Sequence, residues 1–310
     1  MAATERLDAV DDSGTAEVLA LASRAADVDG VGAVSEAFRL ALGPSRDGVV
    51  HLLRRADDGV LVGYAQVAAA GTPDAAAELV VDQSARRVGH GRALLDAAVG
   101  AGARSVWAHG DLEGARALAA SAGLARSREL YRMERPLADA DAADPVLPQG
   151  YSVRAFQPGR DDHDWVRLNA AAFAHHREQG RLTLDDLHER MAQPWFDAAG
   201  FLLVEREGRL VAFHWTKVEP GSTAGRAHGS DPSAARSGTG EVYVVGVDPA
   251  EQGRGLGGPL TGLGLAHLAR RGLATVDLYV DGDNTAARRT YGRLGFEDVA
   301  LDVQYTVAAT

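Results

Sequence analysis

The chain has 310 residues, 46% apolar and 24% charged, enough to bury the cores of two domains and too apolar for wholesale disorder. Its charge balance, 32 − 43 = −11, speaks against a general nucleic-acid or anionic-membrane binder but permits a local basic patch that holds a phosphate. Cysteine is absent, and with it disulfides, thiolate metal sites and an acyl-cysteine mechanism. The first residues, MAATERLDAVDDSG, show neither a basic n-region nor an apolar h-region, and no run of eighteen apolar residues occurs, so a cytoplasmic protein without membrane segments is expected.

In chain order, the first half reads as strands at 59–69 and 77–81, a tight turn at 86–91, a helix from Arg92 and a strand at 105–108. PLADADAADPVLPQG at 136–150 reads as a linker. A hairpin follows at 201–205 and 210–218, with Glu-Gly-Arg at its turn. Residues 219–240 are almost free of apolar side chains and read as a surface loop. Then come a strand at 241–247, a glycine turn at 252–257 and a helix at 259–271 that carries Leu260, Leu263 and Leu268 at helical spacing and stops at Gly272. A strand at 275–280, a short helix from Asn284 to before Gly295 and a strand at 296–307 complete it. The expected domains are 1–135 and 151–310, each α/β, with a mixed central sheet flanked by helices.

The halves repeat one pattern. LVVDQSARRVGHGRALLDAAV at 79–99 matches VGVDPAEQGRGLGGPLTGLGL at 245–265, with Asp82 on Asp248, Arg86 on Gln252, Gly89 on Gly255 and Gly91 on Gly257. Further on, SAGL at 121–124 matches RLGF at 293–296. Three glycines in the six residues 252–257 let the backbone turn sharply, and the following helix offers unpaired N–H groups and a positive dipole end. Together these suit a diphosphate. The spacing is that of neither a dinucleotide fingerprint nor a P-loop.

The run V-x-V-x-P-x-x-Q-x-x-G-x-G at 245–257, with Asn284 and Tyr291-x-x-Leu-Gly-Phe296, resembles the acetyl-coenzyme A site of the GNAT acyltransferases. The tandem arrangement resembles, more narrowly, the mycothiol synthase family. That likeness rests on VDGVGAVSE at 28–36, AELVV at 77–81, WAHG at 107–110, AAF at 171–173 with EQG at 178–180, FHWTK at 213–217, GEVYVVGVDP at 240–249, and YV at 279–280 with DN at 283–284. The loop at 219–240 is longer than is usual in that family. The resemblance implies two tandem GNAT-like domains, the second catalytic, and acetyl-CoA as co-substrate. It implies acetyl transfer to the cysteinyl amine of a cysteinyl-glucosaminyl-inositol, an aminothiol glycoside. Acetyl-CoA contacts are implied for Val245, Gly246, Val247, Gln252, Gly253, Arg254, Gly255, Leu256, Gly257 and Gly258, and for Asn284, Thr285, Ala286, Ala287, Arg288 and Arg289. The counterparts in the first half are Val80, Val81, Asp82, Val88, Gly89, His90, Gly91, Arg92 and Ala93.

Acetyl transfer from a thioester to an amine needs a base for the ammonium, a donor for the carbonyl oxygen and an acid for the leaving thiolate, but no enzyme nucleophile. Direct attack in a ternary complex is therefore expected. Glu241 is the candidate base or a salt-bridged strand-end glutamate; on an unbroken pleat it shares a face with Val245 and Val247. Gly246 marks a bulge or a close approach of ligand, and the Val247 N–H is the candidate carbonyl donor. Tyr291 is the candidate acid or a half-buried core residue; Asn284 binds the pantetheine arm or caps a helix. The first copy has Ala75 where Glu241 stands, and Ala119 and Leu112 where Tyr291 and Asn284 stand, so it is read as non-catalytic. Glu36, Glu178, Lys217 (the only lysine), Glu241 and Tyr279 are the substrate-binding candidates. No metal is expected, since the adjacent His175 and His176 would seldom ligate one ion. A monomer acting on a small molecule is expected, with neither nucleic acid nor membrane as partner. The alternatives are acetylation of an aminoglycoside or a protein N-terminus, and a silent CoA-binding sensor.

Overall fold

A computed structural model of the chain describes residues 4–176, 179–221 and 236–306. They fall into two compact units: the described residues up to Leu130 together with those from Ala300, and Tyr131–Val299. The first unit contains β1 (Thr4–Leu7), α1 (Asp12–Asp29), α2 (Glu36–Leu40), β2 (Val50–Arg55), β3 (Leu61–Ala68), β4 (Ala76–Val81), α3 (His90–Gly100), β5 (Ser105–Ala108) and α4 (Glu113–Ser121). β6 (Ala125–Pro136) begins in the first unit and ends in the second. The second continues with β7 (Tyr151–Ala155), α5 (Asp162–Ala172), α6 (Leu184–Met191), β8 (Phe201–Arg206), β9 (Arg209–Lys217), β10 (Thr239–Val247), α7 (Gly257–Arg270), β11 (Thr275–Asp281) and α8 (Thr285–Arg293). β12 (Glu297–Thr306) begins in the second unit and ends in the first.

One plan serves both units. β1, β2, β3 and β4 pair antiparallel in succession and β4 pairs parallel with β5. β7, β8, β9, β10 and β11 repeat that series. The outer edge of β5 is taken by the end of β12, from Val303↔Ala108 to Thr306↔Ser105, and β6 neighbours β11. These unit boundaries differ from the cuts at 135 and 151, because each edge is closed by a strand from the far end of a half. Leu137, in the segment read as a linker, is buried and donates its N–H to the Ala274 carbonyl.

Helices cover both faces of each sheet. α1 is capped by Asp11, whose carboxylate accepts from the Gly14 N–H, and ends at Gly30 with φ 69°. Its stripe Val18, Leu21 and Ala25 packs on Leu53, Leu61, Tyr64 and Val80. The opposite face takes Leu94, Leu95 and Ala98 of α3. β3, covered on both sides, is accordingly buried almost throughout. α3 starts at His90, two residues earlier than expected, because Gly89 turns the chain at φ 98°. In the second unit, α7 lays Leu260, Leu263, Leu265 and Leu268 on one face of the sheet, and α5 lays Trp165 and Leu168 on the other, against Phe201, Phe213 and Trp215. Each fully buried leucine stabilises the unit by ~1.5–3 kcal/mol. Among the described residues, no helix is long and apolar enough to cross a membrane.

One contact sets how closely α7 approaches. The His214 ring on β9 is fully buried, its Nδ1 lies 2.9 Å from the Leu260 carbonyl oxygen, and burial pushes its pKa down to about 4. The imidazole is therefore neutral and donates to that carbonyl. Gly264 leaves room for the ring; a Cβ there would overlap it. Gly264→Ala should destabilise the protein by about 1–3 kcal/mol, read from the urea midpoint. Gly292→Ala in α8, where a Cβ meets open space, should stabilise by ~0.4–1 kcal/mol in the same assay.

Candidate active site

β10 keeps its register with β9 to Val247↔Ala212, but its register with β11 stops at Val242↔Leu278. Between those limits the β9 register shifts by one residue at Val242/Val244, so Tyr243 is an extra residue on β10. A bulge bends its strand and increases its twist, and here it coincides with the parting of β10 from β11; β4 parts from β5 after Glu78↔Trp107 without one. The β11-facing edge of residues 244–247 is thus left outside the strand ladders of the described residues.

The bulge corrects two expectations. The pleat is broken, so Val245 and Val247 pack toward Leu260 and Leu263 of α7, whereas Glu241, in register with Lys217, lies on the face of Val244 and Gly246. A shift of one residue reverses which face a side chain takes. The bulge also falls before Gly246. At Gly246 the missing side chain makes room for the Phe213 ring, which a Cβ would overlap.

Beyond β10, Asp248 accepts from the Ala250 N–H at 2.9 Å and closes a turn. The Gln252 side-chain amide donates to the Val247 carbonyl at 3.4 Å, tying the turn back to the strand end. Glu251 is buried beneath; it accepts from the Tyr151 hydroxyl at 2.5 Å and is ion-paired with Arg206 at 3.1 Å and Arg254 at 3.3 Å. The Tyr151 hydrogen bond and the two guanidiniums hold its carboxyl below the usual range. Gly253 and Gly255 have φ of 76° and 80°, which only glycine adopts cheaply. α7 then starts without a side-chain cap, and a Cβ at Gly253, Gly255 or Gly258 would meet open space. The first N–H groups of a fourteen-residue helix thus stand beside an open turn, a site fit for a diphosphate.

α8 flanks this start: a Cβ at Gly257 would lie 3.9 Å from Thr290 Cγ2. The Asn284 carboxamide oxygen accepts from the Ala287 N–H at 3.1 Å, so Asn284 is the cap of α8, and Thr285, Ala286 and Ala287 form its first turn. Arg288 lies 3.9 Å over the Tyr131 ring and pairs with Asp298 at 2.6 Å; with Thr285 and Arg289 it lines a hollow of about 510 Å³. Tyr291 packs against Phe296, and burial pushes its phenol up to about 12.

The face opposite α7 is charged. Lys217 is buried; its Nζ lies 2.8 Å from Glu219 and 3.9 Å from Glu241, and over the rings of Trp195 and Tyr243 at 5.1 and 5.5 Å. Arg190 donates to the Tyr243 hydroxyl at 3.0 Å. Tyr279 stands about half-exposed on the neighbouring β11. Lys217, Glu241 and Tyr279 thus lie on three successive strands. Glu178 lies outside the described residues. Glu36 belongs to the first unit, in the first turn of α2 behind its Ser35 cap.

The first unit repeats the turn in altered form. Asp82 accepts from the Ser84 N–H at 3.1 Å and pairs with Arg24 at 3.0 Å. Arg86 donates to the Val81 carbonyl at 3.0 Å, as Gln252 does to Val247, and is held by Asp29 through two bonds of 2.7 Å. Arg87 occupies the left-handed region at φ 66°, where the second copy has Gly253. Gly89 starts α3 without a side-chain cap; His90 accepts from Arg54 at 2.6 Å, and Arg92 pairs with Asp96 at 2.8 Å. Val88 is exposed, and Ala93 lies in the first turn of α3. Val80, Val81, Gly89, Gly91 and Arg92 border a cavity of about 680 Å³. No register shift occurs on β4, so this copy lacks the bulge. Among the described residues, no cluster of His, Asp and Glu is arranged to hold a metal ion.

The Acetyltransferase (GNAT) family model matches residues 165–296. Mycothiol acetyltransferase of Streptomyces coelicolor is 51% identical over 295 residues, covering 94% of this chain and 91% of its own. The Streptomyces avermitilis relative of the same name is 52% identical over 306 residues, covering 97% and 94%. The chain belongs to the mycothiol acetyltransferase family. A solved tandem GNAT protein from the clavulanic acid biosynthesis pathway superposes with a TM-score of 0.71 at 18% identity, covering all of both chains, which shows the tandem fold. The chain is accordingly an acetyltransferase of two GNAT units.

In this family member the sequence motifs AELVV and WAHG conceal a cluster that sequence reasoning missed. Both loci stood among the quoted likenesses, but nothing in their spacing put Asp302 beside them. His109 lies 3.3 Å from buried Glu78 and 2.9 Å from Asp302, and Asp302 also accepts from the Gly110 N–H at 2.8 Å. Burial alone would lower the His109 pKa; the Glu78 charge and the Asp302 hydrogen bond override it and push it up to about 10. A raised folded value stabilises fully below the unfolded pKa of about 6.5 and is lost as pH climbs through the folded value. The thermal midpoint should therefore fall between about pH 7 and pH 10 in the wild type, and less steeply in His109→Gln, by scanning calorimetry.

Proposed function

We propose that the second unit transfers acetyl from acetyl-CoA to the cysteinyl amine of a cysteinyl-glucosaminyl-inositol, closing mycothiol biosynthesis by direct attack in a ternary complex. The observation that carries this reading is the end of the β10–β11 ladder one residue past ion-paired Glu241, beside the uncapped start of α7. The names of relatives at about half identity supply the acceptor. The chain acts as a cytoplasmic monomer on a small molecule.

When bound, the thioester supplies an electrophilic acyl carbon. The amides of the 252–258 turn and of α7 grip the diphosphate, with Arg254 alongside; the first turn of α8, fixed by its Asn284 cap, flanks the pantetheine arm. The Val247 N–H, on the edge that leaves the sheet, polarises the carbonyl. Glu241 takes the ammonium proton, directly or through water, and Tyr291 returns one to the departing thiolate. Lys217, Tyr279 and Glu178 bind the polar acceptor. The first copy, with no bulge and with Ala76 at the register position of Glu241, one residue on from the Ala75 expected from spacing, does not turn over.

CoA release with cysteinyl-glucosaminyl-inositol should exceed release with an aminoglycoside or a peptide N-terminus by orders of magnitude; equal rates would refute the acceptor. Glu241→Gln should lower kcat by about 10²–10⁴-fold while acetyl-CoA affinity by calorimetry stays unchanged. Tyr291→Phe should also lower kcat. Because burial raises the phenol to about 12, its proton is retained until strongly alkaline pH, so wild-type kcat should show no fall attributable to Tyr291 below about pH 11.

A further inference from the structure

The charged face of the second unit holds a row that the reaction as described uses only in part. Glu241 is in register with Lys217 on β9 and with Asp277 on β11. Register partners on neighbouring strands lie about 4.8 Å apart and point to the same face. The alternate residues Val242, Val276, Leu278 and Val280 pack on α7, which leaves Glu241, Asp277 and Tyr279 on the face away from it. Asp277 is buried and accepts from Arg132 Nε at 2.8 Å. Across β9, β10, β11 and β6 the charges therefore run plus, minus, minus, plus: Lys217, Glu241, Asp277, Arg132.

We propose that Asp277, held by Arg132, is a positioning residue that acts through Glu241. Its carboxylate flanks Glu241 on the side opposite Lys217. Lys217 alone would draw the Glu241 carboxylate toward the ammonium and blunt it as a base. A second carboxylate across the sheet opposes that pull and raises the affinity of Glu241 for a proton. Burial on balance raises the proton affinity of Asp277, and the Arg132 ion pair opposes that rise. The other charged or titratable groups on this face are Glu219 after β9, Glu134 on β6, Tyr279 and Asp281 on β11, Tyr243 on β10, Arg190 on α6, and His176, which pairs with Asp281 at 3.3 Å.

This inference rests on Glu241 being the base, and the test separates the two. The measurement is kcat/KM against pH on the full chain, with the acceptor amine turned over fastest by the wild type, for wild type, Glu241→Gln, Asp277→Asn, Asp277→Glu and Arg132→Gln. Removing the Asp277 charge should move the acidic limb down by about one pH unit and lower the plateau several-fold. Removing the Arg132 charge should let Asp277 take up a proton and so move the limb down as Asp277→Asn does, whereas Asp277→Glu should keep it near wild type. Matching downward shifts from the two members of one ion pair, absent in the charge-conserving Asp277→Glu, cannot come from loosened packing, which would lower the plateau and the melting temperature without moving the limb. If Glu241→Gln retains the wild-type limb, the base assignment falls and the inference with it. If Glu241→Gln abolishes the limb while Asp277→Asn and Arg132→Gln leave it in place, the role of Asp277 alone is overturned.

Discussion

A single extra residue, Tyr243, sets the geometry on which the second unit depends. Up to Val242 the strand β10 is an ordinary member of the sheet, paired on both edges. Past Tyr243 it remains bonded to β9 but no longer to β11. The sheet opens while the strand stays anchored, and an opening of that kind is what a linear thioester arm needs in order to lie beside backbone amides. The same insertion reverses the pleat, so that valines face the helix that starts the diphosphate turn and the glutamate faces the other way. The valines and the glutamate thereby take opposite faces of one strand.

Around this strand the protein holds its polar groups by pairing them. Glu251, buried under the glycine turn, draws Tyr151, Arg206 and Arg254 together and ties the turn to the body of the sheet. His214 stays neutral and bonds a carbonyl of α7, so that helix is seated against a buried, uncharged ring. Lys217 is surrounded by two carboxylates and two aromatic faces. Buried charges of this kind contribute little net stability, since desolvation offsets attraction, but they hold geometry. That geometry suits a site whose work is to orient an amine.

Much of this was legible from the sequence, and the reasons it was legible are local. The glycine turn, the strand before it and the helix after it follow from backbone chemistry that a six-residue motif states outright, and the same motif in the first half announced the repeat. Glu241 and Lys217 were recognised singly, as was Tyr291. What escaped were features that depend on register. A bulge has no letter of its own: the expectation set it at Gly246, where a glycine interrupts valines, but that glycine serves the Phe213 ring. Asn284 was open between a pantetheine ligand and a helix cap, and its carboxamide oxygen caps α8. Asp277, Asp302 and Glu78 sit on strands whose neighbours are distant in sequence, so their partners could not be read from spacing. The helix Asp12–Asp29 also went unread, although Asp11 and Gly30 mark its ends, because its apolar stripe is diluted by alanines.

The two copies of the turn differ in only a few features. Both have the parallel strand pair, the uncapped helix start and a side chain returning from the turn to the strand end. In the first, arginines replace Gln252 and Gly253, the strand carries no extra residue, and alanine stands where the base would be. Without the bulge β4 keeps one continuous alternation, so Glu78 points with Val80 toward the α1 side and is taken up by His109 and the Ser35 amide. The carboxylate nearest the opening of the first unit is thus committed to holding its own fold together. In the second unit Glu241, just before the insertion, lies instead in a row that runs plus, minus, minus, plus, with an ammonium on one side and an arginine-held carboxylate on the other.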